Sequence, residues 1–341
     1  MTPPLPRLRL DIATGSLRHA LPVAMASLAL LAVQAGPAVS QAEAPEDGVD
    51  IVVTTSVLGS VVRDLVDDRA SVTVLMANGV DPHDWAPSAQ DLEAVYAADL
   101  VVANGLGLEE GLQDALEQSE AEGTHIFEAT DHIDIRELGE ATHGHESEAG
   151  HASAESPAPE ASPAAAAGEG HEHGAEDPHF WMDPVSMIAV VEALAPIIGE
   201  LGVDVSDREA DLVARLGSLD AEIRGRLAVI PDEARKLVTG HESMGYFAAR
   251  YDLELVGAVI PGLSSQGEVS ARAMADLTEQ IRDEGVSVIF AEAGTPRSIA
   301  DSIASETGAG VVELPSHRLP DDGSYVTFIS GIADIVAEAL S

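Results

Sequence analysis

Short β-branched runs alternate with amphipathic helical stretches along most of the 341 residues, and that alternation restricts the fold more than any other feature. Strands that alternate with helices return in the same direction, which builds a parallel sheet covered on both faces. IVVTTSV (51–57), SVTVLM (71–76), LVVAN (100–104) and HIFEAT (125–130) have the length and residue types of buried strands. VLGSVVRDLV and PSAQDLEAVYAAD (87–99) read as helices between them, the second with Ser88 and Asp91 at capping-box spacing. Beyond Pro231 the pattern begins again. KLVTG, LELVGAV, VSVIFAEA and GVVELP are strand candidates; HESMGYFAARY, SARAMADLTEQIRDEG, RSIADSIASETG and YVTFISGIADIVAEAL are helix candidates. The chain therefore predicts two mostly parallel-sheet α/β units of similar size.

Between the units, Asp183 and Pro184 have the form of an N-cap and a first helical residue. Met187, Val191, Leu194, Ile198 and Leu201 then line one helix face. Ser206 and Glu209 predict a capping box for the following helix, where Leu212, Leu216, Leu219, Ile223 and Leu227 recur until Pro231 ends it. From this pattern an interdomain strut and an ordinary covering helix are equally good readings. The expected divisions are a first lobe over 49–205, this helix over 206–230 and a second lobe over 231–341.

Residues 142–176 interrupt the alternation with Ala, Gly, Ser, Pro, Glu and His and almost no large apolar side chain. Such a segment cannot bury enough surface to offset its ordering entropy, so it reads as a disordered insertion in the first lobe. The N-terminus has Arg7, Arg9 and Arg18, then an apolar run of 16 residues, then small residues in GPAVSQAEA. That is the form of a cleaved export signal over 1–44. The run is shorter than the roughly 20 residues a membrane span prefers.

No cysteine is present, which excludes disulfides, thiolate metal sites and a cysteine-linked lipid. A freely soluble periplasmic or secreted protein is expected. Its 59 acidic against 17 basic residues give a net charge of −42, which argues against a nucleic-acid partner. Any bound metal has imidazole and oxygen ligands available to it.

The chain has twelve histidines. His19 lies in the signal, and His125 and His132 flank a strand and its loop. His143, His145, His151, His171 and His173 lie in the insertion, where five flexible imidazoles, with two His-X-His pairs, make weak metal capture a better reading than a solvated spacer. His83, His179, His241 and His317 each stand at a strand-to-helix or loop-to-helix transition, His241 opening its helix, in loops of the kind that converge at the C-terminal edge of parallel sheets. They stand 96, 62 and 76 positions apart, so no short ligand motif joins them. Taken singly, each reads more readily as a surface residue or a helix cap than as a ligand. Trp85, Phe180 and Trp181 read as core packing or as a water-excluding wall.

VDPHDWAPSAQDL, EDPHFWMDP and TGHESMGYFAARY together resemble the metal-site segments of the zinc and manganese solute-binding proteins of ABC transporters, the cluster A-I or TroA-like group. The resemblance runs from about Val49 to Ser341, with the insertion as its one interruption. It implies two α/β lobes joined by one long rigid helix, which favours the strut reading, with the metal in the cleft between lobes. By position, His83 and His179 correspond to first-lobe ligands and His241 to the first ligand of the second lobe. Manganese-type members usually carry Glu where His241 stands; a nitrogen there favours zinc. The fourth family ligand is usually Asp. In VVELPSHRLPDDGSYVTF His317 is nearest to that position, with Asp321 and Asp322 as rivals. Glu292 is expected to orient an imidazole rather than bind directly. Many zinc-type members carry a His- and acid-rich loop where the insertion stands.

The resulting expectation is an exported Zn2+-binding protein, not an enzyme, that delivers zinc to an ABC permease in the cytoplasmic membrane. A monomeric state and exchange with a zinc metallochaperone are further expectations. A manganese-binding member of the family is the alternative. A secreted zinc hydrolase is a second rival; Glu242 is its candidate base, although HESMG lacks the second histidine of an HExxH site. A metal-dependent adhesin is a third.

Overall fold

The computed structural model describes residues 48–137 and 175–341. The expected signal segment and the five insertion histidines lie outside the described residues. The first sheet contains β1 (Asp50–Val53), β2 (Ser71–Val74), β3 (Leu100–Ala103) and β4 (His125–Glu128), all parallel, in the order β2-β1-β3-β4. Its helices are α1 (Ser56–Val66), α2 (Ala89–Ala97), α3 (Gln113–Glu122) and α4 (Pro184–Glu200). The second sheet contains β5 (Lys236–Thr239), β6 (Glu254–Ala258), β7 (Val288–Ala291) and β8 (Gly310–Glu313), in the matching order β6-β5-β7-β8. Its helices are α6 (Gly245–Arg250), α7 (Ala271–Glu284), α8 (Arg297–Thr307) and α9 (Tyr325–Leu340). Between the lobes runs α5, Ser206–Leu227.

The caps follow the sequence, with one exception. Ser88 Oγ accepts from Asp91 N at 3.3 Å while Ser88 N donates to Asp91 Oδ2 at 2.7 Å, completing the expected box. Asp183 accepts from Val185 N at 2.9 Å, with Pro184 opening α4. The box expected from Ser206 and Glu209 does not form. Ser206 donates both its N–H (3.1 Å) and its Oγ (2.8 Å) to Asp204, so its hydroxyl is turned away from the helix. Helix α3 leaves little trace in the sequence. Its sequence QDALEQSEAE buries only Ala115, Leu116 and Ser119, too few positions to register as an apolar stripe.

The buried face of α5 comprises Leu212, Leu216, Leu219, Ile223 and Leu227. These side chains belong to one continuous apolar core with Leu58 and Leu65 of α1 and with Phe328 and Ile332 of α9. Helix α5 also packs directly on α4. It therefore packs against helices of both lobes. At the edge of the first lobe, Glu137 and Glu176 form an antiparallel bridge, and Asp177 N donates to Arg136 O at 2.8 Å. The chain thus leaves and rejoins the lobe at neighbouring positions.

Candidate metal centre

Parallel strands deliver their following loops to one edge of each sheet. His83 lies in the loop after β2, His241 directly after β5 and His317 after β8, while His179 opens the turn that leads into α4. These four loops meet. Each histidine offers one ring nitrogen to a group whose atoms all lie within 4.8 Å of one another. His179 Nε2 is 3.3 Å from His83 Nε2 and 3.2 Å from His241 Nε2. Four nitrogens at 2.0–2.1 Å from a central zinc form a tetrahedron with edges of about 3.3 Å. The two observed edges have that length. His317 has Nδ1 3.2 Å from Ser316 Oγ, which leaves Nε2 buried with no partner of its own.

The site is nearly closed to solvent. His179 and His241 are fully buried, His317 is buried, and His83 is the most accessible of the four. Trp181 is 5.2 Å from the His179 ring and 5.6 Å from that of His317, centroid to centroid, and donates Nε1–H to Ser316 O at 3.2 Å. It is therefore a wall of the site. Phe180 lies in the core beside it, and Trp85 packs in a separate cluster between α2 and the first sheet.

Burial favours the uncharged imidazole. It pushes His83 down to about 4 and His317 to about 3, with the charge on His241 adding to both effects, and it holds His179 well below its ordinary value. Neutral rings with free lone pairs are the form that binds metal. His241 behaves differently. Burial lowers its pKa, but the neighbouring Glu292 carboxylate outweighs this and raises it. Glu292 is itself fully buried, which raises its pKa, yet His241 and the hydrogen bonds around it bring it down to about 2.

Glu292 organises the second-lobe side. Its Oε2 accepts from Gly240 N at 3.1 Å and His241 N at 3.2 Å and lies 3.3 Å from His241 Nδ1; its Oε1 accepts from Ser243 Oγ. This loop delays α6 until Gly245, so His241 stands before the helix rather than opening it. Asp177 has the corresponding role for His179, with Oδ1 2.8 Å from Nδ1. A carboxylate on one ring nitrogen fixes the tautomer and aims the other at a metal. Burial pushes the Asp177 carboxyl up to about 7, a direction that a bound cation opposes.

Asp321 and Asp322 stand apart from this group and are exposed. Asp322 accepts from Ser324 N at 3.1 Å and Thr327 Oγ1 at 2.7 Å, so it stabilises the start of α9. Glu242 is committed to Gly262 N at 3.2 Å. His132 stacks on Phe127, with centroids 4.5 Å apart.

The role of Asp177 and the position of Asp81 were not read from the sequence, yet a signal was there. Asp-Pro-His occurs twice, at 81–83 and at 177–179. In both copies the aspartate Oδ1 accepts from the histidine main-chain N, at 3.1 and 2.9 Å.

A sequence-family model described as the periplasmic component A of the zinc-uptake complex, ZnuA, matches residues 51–339. The chain belongs to the ZnuA family. Among curated relatives, the high-affinity zinc uptake system protein ZnuA of Bacillus subtilis is 30% identical over 79% of this chain and 78% of its own length. The manganese-binding lipoprotein MntA of Halalkalibacterium halodurans is 26% identical, covering 90% of this chain and 96% of that one. Among solved structures, the periplasmic zinc-binding protein TroA of Treponema pallidum superimposes with a TM-score of 0.68 at 24% identity, over 86% of this chain and 99% of that chain. This likeness bears out the fold of two parallel-sheet lobes. Among the described residues, no helix is long and apolar enough to cross a membrane.

Proposed function

We propose that this ZnuA-family protein captures Zn2+ outside the cytoplasm and delivers it to an ABC-type permease in the cytoplasmic membrane. His83, His179, His241 and His317 are its ligands. The observation that carries the reading is the set of four converging imidazoles, with two nitrogen–nitrogen separations at the tetrahedral edge length. An all-nitrogen set suits zinc over manganese, which prefers oxygen. Four protein ligands leave no open position for the water that a hydrolase needs, and Glu242 is already engaged. The work is retention and release of a cargo ion, with no reaction upon it.

The signal over 1–44 is read as removed on export, and the mature chain as a monomer of two lobes, 49–205 and 231–341, about the 206–230 strut. His143, His145, His151, His171 and His173 gather zinc loosely in addition to the main site, and a metallochaperone exchanges ions with the protein. Native mass spectrometry of a variant lacking 142–174, which keeps the Glu137–Glu176 bridge, tests the division. One firmly held zinc is expected; loss of all binding would overturn a separate core site.

Glu292→Gln takes away one acceptor oxygen from the loop that presents His241. A loss of about 10–100-fold in zinc affinity is expected, the size typical for carboxylates that orient ligating histidines. Competitive titration against a chelator measures it, and a change under threefold would remove Glu292 from that role.

A further inference from the structure

The two Asp-Pro-His copies share one turn but use their second contacts differently. Asp177 turns to its own histidine ring, at 2.8 Å. Asp81 instead accepts from Ser265 Oγ through Oδ2 at 2.6 Å. Ser265 is buried in a loop of the second lobe, after β6. One carboxylate thus holds the main chain of His83 with one oxygen and the opposite lobe with the other.

His83 has need of such a support. His179, His241 and His317 each have Nδ1 near a carboxylate or hydroxyl of the protein. Among the described residues, the His83 ring has no such partner, and its loop lacks regular structure from Leu75 to Ser88. The loop is instead tied to the second lobe. Asn78 exchanges two hydrogen bonds with the Leu319 main chain, at 2.8 and 2.9 Å. Gly294 supplies a third segment at the same contact. It has φ +82°, and a Cβ there would lie 2.9 Å from both Asp81 Oδ2 and Ser265 Cβ. Any side chain at 294 would wedge the two residues apart.

We propose that Asp81 is a positioning residue for metal retention: through Ser265, and over the bare backbone of Gly294, it latches the His83 loop to the second lobe. This inference rests on the zinc reading above. Breaking the latch frees the most accessible ligand first, so zinc leaves faster while the other three ligands remain in place. Ser265→Ala removes only the Asp81–Ser265 bond and leaves the Asn78–Leu319 pair in place. Asp81→Ala removes that bond and the support of His83 N together.

The test is zinc release from the zinc-loaded full chain into excess chelator, followed by stopped flow, with the slowest phase assigned to the core site. Ser265→Ala is expected to release zinc about tenfold faster, the value of one hydrogen bond to a charged group. Its association rate and its content of one core zinc should be unchanged. Asp81→Ala should be at least as fast, and adding Ser265→Ala to it should change nothing further, because the same bond is already gone. Gly294→Ala, which retains every polar partner, should also release faster. A Ser265→Ala rate within twofold of the unaltered chain overturns the latch, as does strict additivity of the two alanine variants. A lowered melting temperature with unchanged release reduces Asp81 to a structural contact and equally overturns it. An unaltered chain that retains no zinc removes the parent reading and the latch with it.

Discussion

His179→Ala is expected to lower zinc affinity by about a thousandfold or more, well beyond the 10–100-fold typical of losing an outer orienting group. The size follows from where the ring sits. Its Nε2 is the nitrogen found at tetrahedral edge distance from two others, His83 at 3.3 Å and His241 at 3.2 Å. The ring is fully buried and its tautomer is set by Asp177, so it reaches the ion already oriented. Alanine removes a prearranged donor from a closed site, where a replacing water would lack the same anchoring. His241→Ala should behave alike, because that ring is also buried, with Glu292 holding its main-chain N–H and lying 3.3 Å from its Nδ1. Asp322→Ala provides the contrast: it should leave affinity intact and only slightly loosen the start of α9, where Asp322 accepts from Ser324 N and Thr327 Oγ1. Competitive chelator titration separates these outcomes. Affinity within threefold of the unaltered chain for His179→Ala would sink the four-histidine assignment.

Arg250→Ala should cost about 3 kcal/mol of folding stability. Arg250 closes α6 in the second lobe and grips Asp183, the N-cap of α4 in the first, through Nε at 2.8 Å and an amino group at 2.9 Å. Asp183 is only 4% exposed, so losing the guanidinium leaves a buried carboxylate without its cation. Breaking a fully buried pair costs about 3–5 kcal/mol, and the partial exposure of Arg250 sets the lower end of that range. Asp183 would keep its bonds to Val185 N and Ser186 Oγ, so α4 itself should remain capped. Urea unfolding should show a lower midpoint at unchanged slope. A loss under 1 kcal/mol would mean that the lobes do not depend on this pair.

The sequence made the sheets legible because a parallel strand buried on both faces leaves an apolar signature, as LVVA of β3 does. Caps at Ser88 and Asp183 were legible because the partner lies two or three residues away. Helix α3 was hidden by its own acidity, and Ser206 was misread because Asp204, just upstream, takes both its hydrogen bonds. The metal centre was legible only in pieces. Four histidines scattered along the chain acquire meaning when two separate sheet edges face each other, which periodicity does not encode. His317 was favoured over Asp322 on position alone; that Thr327 Oγ1 donates to the aspartate at the start of α9 is invisible in the sequence. The Asp81–Ser265 contact spans 184 positions and left no local trace except the second Asp-Pro-His.

The apolar core that runs unbroken from α1 through α5 to α9 has a bearing on how the molecule is made. Neither lobe owns the inner face of α5, so neither can finish folding while the other is absent. A chain still lacking its last helix would leave the leucines of α5 uncovered, and such uncovered apolar surface is what makes partly folded chains aggregate.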